Sequence, residues 1–125
     1  MRAAIFTEGS MTTNESAKTY SKYFEGSFLS VKTVVDALSS YCEIELHILS
    51  EDHGYVHGED QVARVPPLDF RKEVERFTDS LLSRLEDLDV VILLFTADTF
   101  DEVIVMNWNQ LVEKAKKDSR CCIGT

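Results

Sequence analysis

Between residues 70 and 88 the apolar positions recur at steps of three or four: Phe70, Val74, Phe77, Leu81, Leu85 and Leu88. That spacing puts all six on one stripe of a helix, and Asp69 stands where a side chain can cap the first turn. After Asp89 the pattern becomes an unbroken apolar run, Val90 to Phe95, which predicts a strand covered on both faces. Arg2 to Thr7 reads the same way, with Ala3 and Ile5 on one face and Ala4 and Phe6 on the other. Glu43 to Ser50 alternates instead. Ile44, Leu46 and Ile48 face one side, and Glu45, His47 and Leu49 the other; one half-polar face predicts an edge strand.

Shorter signals fill the gaps. Ala17 to Phe24 predicts a short helix with Ala17, Tyr20 and Phe24 on one side, broken at Gly26. Ser27 is positioned to cap a helix carrying Phe28, Val31, Val35 and Leu38. Thr99 and Glu102 have capping-box spacing for a last helix, running to about Lys117. Ile104, Trp108, Leu111, Val112 and Ala115 are expected inward on it, and Lys114, Lys116 and Lys117 sit at its end, where the helix dipole favours cations. Arg120 to Ile123 predicts a final short strand, and residues 51–68 a long loop ending in Pro66-Pro67.

Strands alternating with helices predict one α/β domain over residues 1–125. The expectation is a three-layer sandwich with a mainly parallel four-stranded sheet, order 2-1-3-4, Rossmann-like or flavodoxin-like. The first and third strands would then flank the switch point, and ligands bind at the carboxyl ends of strands there.

Composition narrows the class. A hydrophobic fraction of 44% argues against disorder, and no apolar run is long enough to span a membrane. The formal charge of −9 repels phosphate backbones, which argues against general nucleic-acid binding. Three cysteines, Cys42, Cys121 and Cys122, form no C-x-x-C pair. The last two read as small apolar strand residues, and the protein as soluble and cytoplasmic.

Candidate chemistry gathers at strand ends. All four expected strands stop on or near a hydroxyl, at Thr7, Ser50, Thr96 and Thr125. After the first, Gly9, Ser10, Thr12 and Thr13 make a hydroxyl-rich turn, and the following helix would aim its amides at an anion. Lys18 could counter the anion's charge and Tyr20 could pack on a ring. After the second, Ser50 and His53 complete the cleft and are the only pair a nucleophile-and-base reading would use. His53 and His57, four apart among Glu51, Asp52, Glu59 and Asp60, are the candidate metal ligands. There is no Walker loop, no G-x-G-x-x-G and no G-x-S-x-G, so no motif specifies a cofactor or a reaction.

Two segments, Ile48-Leu49-Ser50-Glu51-Asp52-His53-Gly54-Tyr55 and Ala17-Lys18-Thr19-Tyr20, resemble a small uncharacterised α/β family of bacteria, archaea and phages. Its members carry an I-L-S-A-K-H-G-L motif preceded by A-K-x-L-Y. The chain departs from it in having Thr7-Glu8-Gly9-Ser10 where such proteins have a Cys-Ser-Lys-Lys-like loop, and Asp52 where they have lysine. The resemblance implies the fold and the place of the site. Thr7 to Ala17 and Thr96 to Phe100 also resemble the phosphate and flavin-flanking loops of flavodoxins, which would imply FMN.

Three readings follow: a domain binding a nucleotide-like or anionic small molecule at the carboxyl edge of the sheet; a non-catalytic interaction module or homo-oligomer subunit; or a metal-dependent hydrolase built on His53 and His57.

Overall fold

The computed structural model describes residues 1–63, 68–115 and 120–124, and side chains up to Lys114. The expectations for Pro66-Pro67, Lys116, Lys117 and Thr125, and for the packing of Ala115, Cys121 and Cys122, lie outside the described residues.

Five strands form one sheet: β1 (Arg2–Glu8), β2 (Glu43–Ser50), β3 (Gly54–His57), β4 (Val90–Leu94) and β5 (Arg120–Gly124), in the order β3-β2-β1-β4-β5. Pairs β1–β2, β1–β4 and β4–β5 are parallel, whereas β2–β3 is antiparallel. This corrects the expected four-stranded, mainly parallel sheet of order 2-1-3-4. The sheet is mixed, because residues 54–57 turn back on β2 instead of staying in a loop. His47 pairs with His57 and Ser50 with Gly54. Glu43–Ser50 is therefore not an edge strand. β3 covers its outer side from His47 to Ser50, and its half-polar face answers a polar cluster described below.

Helices cover both faces. On one lie α3 (Phe70–Arg84), α4 (Ala97–Val103) and α5 (Trp108–Ala115), and their core joins Ala4, Phe6, Leu49, Val91 and Leu93 to Phe77, Leu81, Leu85, Val103 and Ile104. On the other lie α1 (Tyr20–Tyr23) and α2 (Leu29–Leu38), where Ile5, Ile48 and Val56 meet Tyr20, Phe24, Phe28 and Val31. Two cores on a strand with two apolar faces is what the Ala3–Phe6 pattern demands. Each fully buried Phe or Leu contributes roughly 1.5–3 kcal/mol over leaving it exposed. Asp69 does cap α3, accepting from the Arg71 amide at 3.2 Å.

Three helical expectations are corrected. α1 is a single turn, Tyr20–Tyr23, because the chain before it is held as an arm: Thr13 bridges to Phe24 and Thr19 to Gln61. Ser27 caps nothing; it lies inside a 3-10 turn, Gly26–Phe28, that leads straight into α2. The last helix starts earlier than Thr99, at Ala97, and breaks at a 3-10 turn, Val105–Asn107, before α5. That break rotates Trp108 outward, to 51% exposure, with Val112 at 39%, while Ile104 and Leu111 stay buried. No helix among the described residues is long and apolar enough to cross a membrane.

Candidate functional site

β1 lies between β2 and β4, so the chain leaves their carboxyl ends in different directions and a crevice opens there. A cleft of about 460 Å³ occupies it. Glu8, Gly9, Ser10 and Met11 come from the end of β1, Ser50, Glu51 and Asp52 from the end of β2, and Asp98, Thr99 and Glu102 from α4. Leu49 and Phe70 supply the apolar wall. Five of these residues are carboxylates, and none of the described residues lining the cleft is Lys or Arg. Glu8 also ties the crevice together, its carboxylate accepting from the Thr96 amide at 3.2 Å. A second hollow of about 290 Å³ shares Glu8 and Gly9 and adds Thr7, Ser27, Ser30 and Thr96.

Of the residues singled out in the sequence, Gly9, Ser10 and Ser50 meet in the larger cleft. Gly9 is there for a packing reason as well: a Cβ at this position would lie 2.5 Å from the Phe24 ring. The Ser10 hydroxyl donates to the carbonyls of Thr12 and Glu25, which folds the loop onto the turn before α2. Ser50 accepts from the His53 amide at 3.2 Å. Thr12 is exposed, and Thr13 donates to Glu15 at 3.0 Å. Lys18 is exposed and outside the lining of either hollow. Tyr20 is buried, its hydroxyl accepting from the Ala63 amide.

The short helix offers no anion site. Its Tyr20 and Ser21 amides already donate to the carbonyls of Asp60 and Gly58. The metal reading fails on placement too. His53 packs against Tyr20, Tyr23 and Phe24 in the α1–α2 core, whereas His57 packs against His47 and Tyr55 on the α3 side. No group of three His, Cys, Asp or Glu that could hold a metal occurs among the described residues. The residues that pattern reading missed are Glu8, Asp98 and Glu102, each in a strand end or helix whose apolar neighbours carried the signal.

A second constellation lies under α3. His47, only 3% exposed and stacked on Phe6 at 4.2 Å, bonds Tyr55 through Nδ1 (2.6 Å) and Glu45 through Nε2 (3.0 Å). Tyr55 Oη also meets Ser80 (2.7 Å) and His57 Nε2 (3.1 Å). Arg84 forks onto both oxygens of Glu45, and Arg2 approaches at 3.5 Å. These bonds explain the polar face of β2.

The Arg84 hydrogen bond holds the Glu45 carboxyl below its ordinary range, against a smaller effect of burial. The same bond raises Arg84. Burial pushes His47 down, partly opposed by Glu45, and pushes the Tyr55 phenol up. A histidine held neutral in the fold, but free to protonate when unfolded, makes stability fall as pH drops below its ordinary 6.5. Glu45 adds to this: its contribution is complete above its ordinary 4.5 and is lost as pH falls through its lower folded value. Urea midpoints are therefore expected to fall from pH 7 to pH 4, with a limiting slope of about 1.4 kcal/mol per pH unit per proton. His47→Gln should flatten the upper half of that decline, and an unchanged profile in the variant would count against the assignment.

No family model matches the chain, and neither a curated protein nor a solved structure matches it.

Proposed function

We propose that the protein binds a small, positively charged organic molecule, an amine or guanidinium, in the cleft at the carboxyl ends of β1 and β2. The observation that carries this reading is the lining: Glu8, Glu51, Asp52, Asp98 and Glu102 around one opening, with Phe70 as a flat apolar wall. Carboxylates with little opposing charge concentrate cations, and a cation over an aromatic face gains further. Gly9, Ser10 and Ser50 line the same opening and would give the ligand close backbone approach and hydroxyl contacts, where the sequence expected them to serve an anion. The ligand's charge is the reverse of the nucleotide-like anion that the sequence favoured, because Lys18 stands apart from the cleft. A cytoplasmic location is proposed with it, supported by the free thiol of Cys42, which suits a reducing compartment.

Titration of the labelled protein with spermidine and arginine, against ATP and inorganic phosphate, tests it. The amines are expected to move the amides of Gly9, Ser10, Glu51 and Thr99, more weakly in high salt, and Asp98→Asn with Glu102→Gln to reduce the effect. Shifts there with ATP or phosphate alone, or none at millimolar amine, would overturn it.

A second reading, a subunit of a homo-oligomer, draws on the exposed apolar strip of Val105 (53%), Met106 (78%) and Trp108 (51%). A strict monomer in sedimentation velocity would remove it.

A further inference from the structure

The proton directions in the cluster under α3 can be assigned from its bonds. Glu45 accepts from Arg84 and pairs with Arg2, so it is ionised, and His47 must present Nε2–H to it. Nδ1 of a neutral His47 is then an acceptor, and the proton within reach belongs to Tyr55. A phenol has one proton to give. Tyr55 therefore donates to His47 and accepts from Ser80 and from His57 Nε2–H. The far side of the His57 ring, Nδ1, faces Asp60 at 3.5 Å, and that ring is half exposed. A continuous hydrogen-bonded path thus runs from solvent at His57, through Tyr55, to a buried imidazole. The two imidazole rings lie 4.8 Å apart.

We propose that His47, Tyr55 and His57 form one proton-sharing latch that fastens β3 to β2 and α3 near neutral pH and releases it on acidification. His57 lies between Asp60 and the Tyr55 oxygen, with a contact on each ring nitrogen. A proton added to His47 has to settle on Nδ1, because Nε2–H already serves Glu45. Tyr55 can then no longer donate there and must turn its proton to Ser80, which loses its own donation. When both rings are protonated, two imidazolium rings face each other, and histidine pairs of this kind drive pH-sensitive interfaces.

Charged groups of both signs surround the pair, and on the side of α1 and α2 Lys22, Lys32, Asp36 and Glu59 share a hollow with Glu45 and His57. From β2 comes Glu45, already engaged by Arg84 and Arg2, and from the turn after β3 comes Asp60. From α3 come Arg84, shared with Asp87, and Arg76, which lies 5.7 Å over the Tyr55 ring and pairs with Glu73. Two of the three rings belong to β3, and β3 is held by four ladder residues only, so it is the strand that opens.

Amide hydrogen exchange, corrected for intrinsic rates, reads this directly. Between about pH 7.5 and about pH 5, the β2–β3 ladder amides should lose protection about tenfold, while the β1–β4 ladder stays within about threefold. His57→Gln keeps a donor for Tyr55 but does not titrate, and should hold the ladder closed at the lower pH. Tyr55→Phe removes the link and should leave the ladder open at both. If that variant fails to fold, His57→Gln decides. The proposal is overturned if the β2–β3 and β1–β4 ladders lose protection together, or if His57→Gln opens as the wild type does.

Discussion

Replacing Phe77 by alanine is expected to cost about 3–5 kcal/mol of folding stability, the usual range for truncating a fully buried aromatic. Phe77 has no exposed surface and stands edge-on to Phe6, Tyr55 and Phe95. It is the point where α3 touches β1, β3 and the end of β4 at once. Aromatic contacts of this geometry add to the area they bury, and a methyl group in their place leaves a hole that rings on three elements cannot all collapse into. Domains of this size hold about 5–15 kcal/mol in total. Urea unfolding followed by far-UV dichroism should therefore show the midpoint falling by about a fifth or more. A loss below about 1 kcal/mol would mean that α3 repacks and that the core is looser than its geometry implies.

Gly54→Ala should lose about 2–4 kcal/mol, by a different route. Gly54 opens β3 at φ +74°, where any Cβ is strained, and the added carbon would lie 2.6 Å from Glu73 Oε1. Glu73 cannot simply swing away, since it is nearly buried and bonds Arg76 Nη1 at 2.5 Å. Combining the change with Glu73→Ala separates the two causes. The double variant should recover the part due to contact and retain the part due to backbone strain. Full recovery would show that φ carries no cost here, and no recovery that the contact is unimportant.

The elements legible in the sequence were those whose burial alone dictates their pattern. α3 shows its stripe because one face meets the core, and β1 and β4 show apolar runs because both their faces do. Gly54–His57 gave no such sign. In these four residues only Val56 enters a core, while Tyr55 and His57 meet a polar cluster, and they sit among glycines and acids that read as loop. The same cluster misled the reading of β2. Glu45 and His47 gave the strand a half-polar face that read as an edge, yet their polarity is matched by Arg84 from α3 and Tyr55 from β3. Tyr20 and Phe24 kept helical spacing because both enter one aromatic group with Tyr23 and His53, and the chain bridges Thr13 to Phe24 to bring them there.

The place of the cleft was legible for a topological reason, since strand ends and the switch point follow from element order. Its charge was not. Glu51 and Asp52 were visible as an acidic turn, but Glu8, Asp98 and Glu102 join them only once β1 and β4 lie side by side. Conversely, Lys18 is close to Ser10 in sequence and outside the cleft in space, because the arm leading to Thr19 carries it off to pair with Val62.

The position of β1 has a kinetic consequence. It precedes every strand it pairs with: Arg2 must wait for Glu43, and Ala3 for Val90. Closing such distant pairs is slow, because chain entropy is lost before the contacts compensate. The β2–β3 hairpin joins neighbours across a short turn, Ser50 to Gly54, and needs no such delay. As the chain is synthesised, this outer corner can form while the centre of the sheet still has an open side. β1 becomes fully paired only when β4 arrives, so its open edge toward β4, with unpaired backbone groups between two apolar faces, is a surface in need of protection on a nascent chain.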